Sequence, residues 1–383
     1  MKISLLDAKN NEISSTDLAD GNQGYDKLNF SPETTQRYKI VISPFKKGNV
    51  PNGEINIFIK KYSTKELEGI KKSSLAAKEE NNKDIMTLDI KHFWEAFDQL
   101  KDCRNFKDSV QIIQTVYLDR ATDGLKNFQK VKDFSAEKFV HKIHQYKKFY
   151  NSVRKNTYVA NELDISDHSL LDRFKKIYPE AKGFKVCFII GPVSDGATIS
   201  GNYLLLGTEL LSGDANSDTS EFTNANFKAD FSKIKTTDDL KLKLEEVAAH
   251  ESVHTQQQPR NKDAVICNLL DLAIREGVAE FIAQKILDRP FKPKNYEIYG
   301  IAHEKELWIE FKSELCNASL KNWIANNGTS TDRPADLGYL IGYKIAASYY
   351  DMMPDKKQAI KEMITMDNPL LFLDKSRYDI KFR

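Results

Sequence analysis

The stretch VAAHESVHTQQ, residues 247–257, constrains the fold of this chain more than any other segment. His250 and His254 are four residues apart, and Glu251 follows the first of them. A capping sequence at residues 236–238 and apolar residues at helical spacing after it predict a helix that runs through the motif. At about 100° per residue, the two imidazoles lie on one face of that helix and can reach one ion.

Two solvated histidines on a polar helix face are the alternative interpretation of this motif. Ala248, Ala249 and Val253 surround the pair with apolar side chains, which disfavours that alternative. The spacing therefore predicts a metal site on this helix, with Glu251 at the distance of a bound water.

The stretch NLLDLAIREGVAEFIAQKIL, residues 268–287, predicts a second helix, with Asn268 as its N-cap and Asp271 in the capping-box position. Glu276 lies in the middle of an otherwise apolar stripe of this helix. A carboxylate in such a place favours a nearby cation, so Glu276 is the predicted third metal ligand.

Two neighbours of Glu276 carry further predictions. Gly277 costs about 1 kcal/mol in a helix interior, which indicates a close approach by a neighbouring helix. Glu280, one turn on, is expected to accept the outer N–H of a ligand histidine, and a surface glutamate is the equal alternative. His254 lies near the end of its helix and Glu276 about eight residues into the next, so residues 259–267 must form an excursion rather than a tight turn.

The charge balance excludes some classes of partner. The chain has 383 residues, with 57 basic and 55 acidic side chains and a formal charge of +2. No global field favours nucleic acid or an anionic membrane, so no nucleic-acid partner is predicted. No apolar run approaches the roughly 18 to 20 residues of a membrane span.

The four cysteines are far apart in the sequence and form no CxxC pair: Cys103, Cys187, Cys267 and Cys316. We expect four small buried hydrophobic residues rather than a disulfide framework or a thiolate zinc site. The first residues lack the apolar centre and cleavage site of a secretory signal. Localisation is therefore unknown, cytoplasmic by default, with export possible if a signal or lipid anchor was removed.

The pattern of the chain predicts three regions. Residues 1–61 alternate short apolar runs with turn formers, which indicates a small β module, and residues 62–84 are a charged linker or exposed helix. Residues 85–383 are the predicted main domain, helical to about residue 180 and again from about residue 237. Between them, FKVCFIIG and TISGNYLLLGTELL are expected to be two strands of a small sheet, joined by residues 192–196.

HExxH followed by a glutamate in the segment REGVAEF resembles the gluzincin metallopeptidases. The resemblance implies an α+β, mainly helical zincin-like catalytic domain with a small sheet, and one Zn²⁺ ion as cofactor. Carried over residue by residue, it implies His250, His254 and Glu276 as zinc ligands and Glu251 as general base.

A more specific resemblance rests on the order of several segments in residues 85–353. These segments are KNFQKVKDFSAEKFVHKI, KFYNSVRKNT, FKKIYPEA, FIIGPVSDGATIS, HESVH, REGVAEF and DRPADLGYLIGYKIAASYYD. Their order resembles the bacterial predicted zinc-dependent proteases related to gliding-motility lipoproteins. Many members of that family are exported lipoproteins, whereas this chain shows no lipid-attachment signal, and its first 84 residues lie outside the resemblance.

Further residues are candidates for roles at the site. Tyr339 and Tyr343 are one helical turn apart, and either phenol is a candidate donor to an oxyanion, with helix packing as the alternative. Arg333 is a candidate for binding a substrate carboxylate, although a surface arginine is the simpler interpretation. Residues 196–198, namely Gly196, Ala197 and Thr198, are a candidate substrate shelf at a strand edge, or part of an ordinary hairpin.

The predicted function is that of a zinc-dependent peptidase acting on a peptide or protein substrate through a metal-activated water and Glu251. A catalytically silent zinc-binding assembly or partner-binding protein of the same fold is the alternative. Hydrolysis of a non-peptide amide is a third possibility. Glu251 argues against a purely structural metal site, which needs no base and closes its fourth position.

Overall fold

A computed structural model of the chain describes residues 2–16, 28, 30, 32, 35–43, 63–163, 167–194, 196–223, 225–258, 267–317, 319–326 and 333–382. The described residues form a small N-terminal sheet, a second sheet of four strands and a mainly helical body. The predicted α+β class, mainly helical with a small sheet and a preceding β module, is confirmed.

The N-terminal module contains three antiparallel strands. They are β1 (Lys2–Leu6), β2 (Glu12–Thr16) and β3 (Lys39–Ser43), in the order β2-β1-β3. Ile3 of the central strand pairs with Thr16 on one side and Ile42 on the other. The expected apolar run EINIFIKKY at residues 54–62 lies outside the described residues.

The charged segment before residue 84 is a helix, α1 (Thr64–Glu80). Ser63 and Glu66 form a capping box at its start, so local sequence specifies where it begins. Glu80 at its end is buried, and its Oε1 accepts hydrogen bonds from the backbone N–H groups of Thr87 and Leu88. The end of α1 is thereby fixed to the start of the main helical body.

The described residues between 88 and 177 are mainly helical, as the amphipathic spacing predicted. The helices are α2 (Leu88–Gln99), α3 (Phe106–Ile112), α4 (Asp123–Lys132), α5 (Ala136–Gln145), α6 (Lys147–Thr157) and α7 (Asp167–Ile177). Their inner faces contribute aromatic residues, among them the fully buried Phe93, Phe139 and Tyr150, to an apolar core that reaches from Met86 to Tyr378.

The second sheet has the strand order β4-β5-β7-β6. Its strands are β4 (Ile85–Met86), β5 (Lys185–Ile189), β6 (Ala197–Ser200) and β7 (Tyr203–Gly207). β4, β5 and β7 are parallel, and β6 is an antiparallel terminal strand. The prediction of one strand across TISGNYLLLG was wrong: Gly201, with φ +58°, allows a tight turn that splits the segment into a hairpin.

The remaining helices complete the body. They are α8 (Thr208–Leu211), α9 (Ala225–Phe231), α10 (Thr237–His254), α11 (Asn268–Leu287), α12 (Asn295–Ala302), α13 (Glu304–Glu314), α14 (Leu337–Met352), α15 (Lys356–Ile364) and α16 (Pro369–Ser376). Thr236 caps α10 in a capping box with Asp239. The predicted cap of α11 was wrong by one residue: Asn268 begins the helix, and Cys267 is the N-cap without a side-chain hydrogen bond.

Helices α11 and α14 cross with their backbones in contact. A Cβ atom on Gly277 would overlap the backbone of Gly342 and Tyr343, and one on Gly342 would overlap the backbone of Ala273. Because the obstacles are backbone atoms, no side-chain movement can make room. The close approach expected at Gly277 is present, and α14 is the partner helix.

The interpretation of the cysteines as small buried residues without disulfides fits Cys187 alone, since Cys103 is only partly buried. Cys267 and Cys316 form a disulfide across 49 residues, whereas Cys103 and Cys187 are free. The bond joins the residue before α11 to the segment after α13, beside a backbone hydrogen bond from Leu270 N–H to Leu315 O. Wide sequence spacing cannot show that two cysteines are adjacent in space, because the fold decides it.

Replacing Gly342 with alanine tests the helix crossing. We expect Gly342→Ala to lower the free energy of unfolding by about 3 kcal/mol or more, the upper end of overpacking costs, because two backbones must separate. The measurement is a urea titration followed by circular dichroism.

Gly69→Ala in α1 is the matched control, since a Cβ atom there meets nothing within 4 Å. This substitution should raise the free energy of unfolding by up to about 1 kcal/mol, as helix propensity predicts. Equal effects of the two substitutions would contradict a backbone contact at Gly342.

Candidate metal centre

Helix α10 presents both histidines of the motif on one side. His250 and His254 are separated by one turn, their rings meet edge to face at 4.7 Å between centroids, and their Nε2 atoms are 3.0 Å apart. Ala249 and Val253 are fully buried beside them. The imidazoles therefore converge within an apolar surrounding, as the sequence predicted.

Helix α11 brings Glu276 to the same point. Glu276 Oε2 lies 3.3 Å from Nε2 of His250 and 3.3 Å from Nε2 of His254. The three side chains are 13%, 16% and 20% exposed, in the order His250, His254, Glu276. Together they are a group that can hold a metal ion.

The spacing of the three ligand atoms can be tested against metal coordination. Zinc bound by nitrogen and oxygen at about 2.0–2.1 Å in a tetrahedron separates its ligands by roughly 3.3–3.4 Å. The observed separations are 3.0, 3.3 and 3.3 Å. Two imidazoles and a carboxylate at these distances fit a small divalent cation, with a fourth direction left for another ligand.

The cluster is electrostatically unusual without a cation. Burial by itself would lower the pKa of His250, but the hydrogen bonds and charges of Glu276 and Glu280 outweigh it and raise that pKa to about 10. The pKa of His254 is also raised, because the charge of Glu276 overcomes its burial. The pKa of Glu276 is depressed below its usual range, because the two histidines outweigh its own burial. These pKa shifts show that the surroundings of the three side chains favour positive charge. Such surroundings suit a bound metal ion.

Glu251 is the buried carboxylate beside the ligands. It is 9% exposed and follows His250 on α10. Burial raises its pKa, and the neighbouring histidines oppose the rise only in part. A carboxyl group in this setting holds a proton more readily than a solvated glutamate does.

Glu280 is buried, so the surface-glutamate alternative does not describe it. Its Oε2 lies 3.3 Å from Nδ1 of His250, although the N–H is not well aligned with that oxygen. Its Oε1 accepts a hydrogen bond from Lys294 Nζ at 2.8 Å. The pKa of Glu280 falls to about 2, because the charges of Lys294 and His250 outweigh the effect of burial.

Gln257 is a contact of the site that the sequence analysis missed. Its Oε1 lies 2.9 Å from Nδ1 of His254. The position three residues after His254, just past the end of the same helix, was the available signal. Each histidine thus has an acceptor oxygen near its outer nitrogen: Gln257 Oε1 at hydrogen-bond distance for His254, and Glu280 Oε2, less well aligned, for His250.

The two candidate tyrosines occupy different surroundings. The Tyr339 ring is stacked near His250 at 6.4 Å between centroids. Burial and the nearby carboxylates of Glu276 and Asp336 hold the pKa of Tyr339 well above its usual range, so its phenol stays protonated. Tyr343 instead packs against Phe281 on α11, and its hydroxyl is within hydrogen-bond distance of an amide oxygen, Gln284 Oε1, at 3.1 Å. Tyr339 is the tyrosine that lies at the candidate centre.

Arg333 is held by contacts within the protein. Its Nη1 donates to Glu310 Oε2 at 2.7 Å, its Nη2 donates to the Asn322 carbonyl, and its guanidinium lies 4.6 Å from the centre of the Trp323 ring. These contacts account for the residue without a substrate. Its assignment as a substrate-binding residue therefore receives no support from its position.

The candidate shelf lies at one end of the sheet. Gly196 precedes β6, and Ala197 and Thr198 belong to it, the terminal strand that packs near α10. The Gly196 carbonyl accepts a hydrogen bond from Gly207 N–H. The hairpin interpretation is confirmed, since β6 is one arm of a hairpin with β7. The role of these residues as a substrate shelf stays a prediction.

Comparisons of this chain with models of known protein families, with curated proteins and with solved structures found no match. The family resemblance stays an expectation, and the site geometry carries the functional argument. Within the described part of the chain, no helix has the length and apolar character needed to span a bilayer.

Removing one ligand tests the metal centre. We expect the unsubstituted protein to bind one Zn²⁺, and Glu276→Gln to bind it more than about 100-fold more weakly, since even the loss of an outer partner costs 10–100-fold. A competition titration with a chromogenic chelator measures both affinities. Glu306→Gln, an exposed glutamate of α13, is the matched control. Unchanged affinity in Glu276→Gln would remove this residue from the ligand set.

The same titration has a predicted pH dependence. A metal ion binds only neutral imidazoles. In the metal-free protein the neighbouring carboxylates raise the pKa of His250 to about 10, so this imidazole carries an extra proton near neutral pH. Zinc must displace that proton, so the affinity should rise from pH 6 to pH 8 by about tenfold per pH unit for each proton displaced.

Proposed function

We propose that this protein is a zinc-dependent peptidase. One observation carries the proposal: among the described residues, the metal group contains three protein ligands, His250, His254 and Glu276, rather than four. Two histidines and a glutamate with an open fourth position are typical of catalytic zinc sites, whereas structural sites close all four. When bound, zinc supplies Lewis-acid chemistry that activates a water molecule and polarises a substrate carbonyl.

Glu251 is the proposed general base. Its carboxylate lies on the turn that carries the ligands, and burial raises its pKa toward the range in which a group can take up and release a proton. In the proposed reaction Glu251 takes a proton from the attacking water and delivers it to the leaving amine. The two transfers together return Glu251 to its starting state after one cycle.

Tyr339 is the proposed donor to the oxyanion. Its phenol remains protonated because burial and nearby carboxylates raise its pKa, so it can donate a hydrogen bond but does not compete as a base. The stacking near His250 supports this role. Tyr343 is not proposed for it, because its hydroxyl contacts Gln284.

The edge of β6 supports a peptide as the substrate. An extended peptide can add to a free strand edge through backbone hydrogen bonds, a mode that depends little on side-chain identity. β6 ends the order of the described sheet and packs near α10, so a peptide paired with Ala197 and Thr198 would pass beside the helix that carries the ligands.

Glu251→Gln tests the proposed chemistry. We expect zinc content to stay at one ion per chain while cleavage of a mixed peptide library falls by a factor of about 100 or more, since the base is lost and the ligands remain. Mass spectrometry of the library detects cleavage. Full zinc occupancy without cleavage by either protein would instead favour the silent zinc-binding alternative.

The two tyrosines offer a matched pair of substitutions. Tyr339→Phe should lower kcat by about 100-fold, the size of effect expected for one oxyanion donor, with KM little changed. Tyr343→Phe removes a hydroxyl from the same helix and should leave kcat nearly unchanged. A larger loss of kcat in Tyr343→Phe would reverse the assignment.

A further inference from the structure

We propose that Gln257 and Arg275 form a clasp that selects the metal-binding tautomer of His254 and fixes helix α11 to the end of α10. Each residue bonds to the backbone of the other's segment, next to one of the ligands. The inference rests on the proposed function, because it concerns how this chain prepares the same metal centre.

The side chain of Gln257 forms the first half of the clasp. Its Nε2 donates to the carbonyl of Arg275 at 3.0 Å, and its Oε1 lies 2.9 Å from Nδ1 of His254. Arg275 immediately precedes Glu276. One amide group therefore connects one ligand to the backbone beside another.

The side chain of Arg275 forms the second half. Its Nη1 donates to the backbone carbonyl of Gln258 at 2.9 Å, and its Nε donates to Asp271 Oδ1 at 3.3 Å. Arg275 is 15% exposed and Asp271 is 5% exposed. Asp271 lies one turn earlier on α11, so the guanidinium is held in place from its own helix.

The chemistry of the amide determines the tautomer. The Arg275 carbonyl can only accept a hydrogen bond, so the nitrogen of the Gln257 amide must face it. The oxygen then faces His254 and can only accept, which requires a proton on Nδ1. In the neutral imidazole, a proton on Nδ1 leaves the lone pair on Nε2, the atom that lies near His250 and Glu276, as a metal ligand needs. The backbone of α11 thus sets the protonation pattern of a histidine on α10.

The clasp also solves a problem of register. His254 ends α10, whereas Glu276 lies eight residues beyond the start of α11. Because of this offset, residues adjacent in sequence to His254 and Glu276 cannot by themselves bring the two side chains to the same level. The bonds at Gln257 and Gln258 join the end of α10 to α11 at the residue before Glu276, so the ligand carboxylate is held level with the imidazoles.

The first experiment compares Gln257→Met with Gln257→Glu. Methionine has a similar shape but makes neither hydrogen bond, so Zn²⁺ affinity should fall by about 10–100-fold, as for other outer partners of ligand histidines. Glutamate keeps an acceptor for Nδ1–H and should recover most of the affinity. Chelator competition with Zn²⁺ gives the affinities. NMR of protein labelled with ¹⁵N-histidine should show the His254 Nδ1–H in the zinc forms of the unsubstituted protein and Gln257→Glu, but not in Gln257→Met.

Gln256→Met is the matched control. Gln256 precedes Gln257, and its side chain bonds the backbone of Lys182 and the hydroxyl of Thr255 but neither ligand histidine. The Gln256→Met substitution should leave the zinc affinity and the His254 NMR signal unchanged. Arg275→Met, which removes only the second half of the clasp, should weaken zinc binding by less than Gln257→Met. Thermal unfolding of each metal-free variant identifies any that fails to fold.

The outcomes separate this inference from the proposed function. If the protein binds zinc and Gln257→Met binds it equally well, or if Gln256→Met loses as much affinity, the clasp is overturned and the peptidase proposal stands. If the variants behave as expected but no peptide is cleaved, the peptidase proposal fails and the clasp stands. If the unsubstituted protein binds no zinc, both are overturned.

Discussion

The backbone contact between α11 and α14 is the constraint on which the candidate centre depends. Gly277 and Gly342 lie where the two helices cross, and neither position has room for a Cβ atom. Glu276 precedes this contact on α11 and points to the histidines, while Tyr339 lies one turn before Gly342 on α14. One close crossing therefore brings a candidate metal ligand and the proposed oxyanion donor to the same side of α10. The cost of a glycine in each helix is offset by the approach that it allows.

The second constraint is electrostatic. The site gathers three carboxyl groups and two imidazoles in a largely buried place, with Glu251, Glu276 and Glu280 close to the histidine pair. Uncompensated, such a cluster would cost far more than the fold can supply. Lys294 neutralises Glu280, and the raised pKa values of the histidines show that the rest of the cluster draws in positive charge. A bound divalent cation would provide this positive charge. Its binding would release the protons that the histidines otherwise hold.

Local patterns predicted the parts of this site that depend on one helix at a time. The HExxH spacing placed His250, His254 and Glu251, and the interrupted apolar stripe identified Glu276. Pairings between distant segments were not predictable, because they depend on the fold. Tyr339 and Tyr343 have the same local signal, and only the packing of α14 distinguishes them. The disulfide of Cys267 with Cys316 and the turn at Gly201 were missed for related reasons, since each requires a neighbour or a backbone conformation that composition does not specify.

Helix α11 is held at four successive levels, and each tie has a different physical origin. The disulfide anchors Cys267 before its first turn, and hydrogen bonds to the segment just after α10 hold Arg275. The backbone contact holds Gly277, and the Lys294 ion pair holds Glu280. Glu276 lies between the second and third of these ties. A ligand must be held within a few tenths of an ångström for a metal centre to be ready for catalysis, and a long side chain on a loosely packed helix cannot meet that requirement. The concentration of ties on this one helix is therefore what the proposed three-ligand centre would require of the fold.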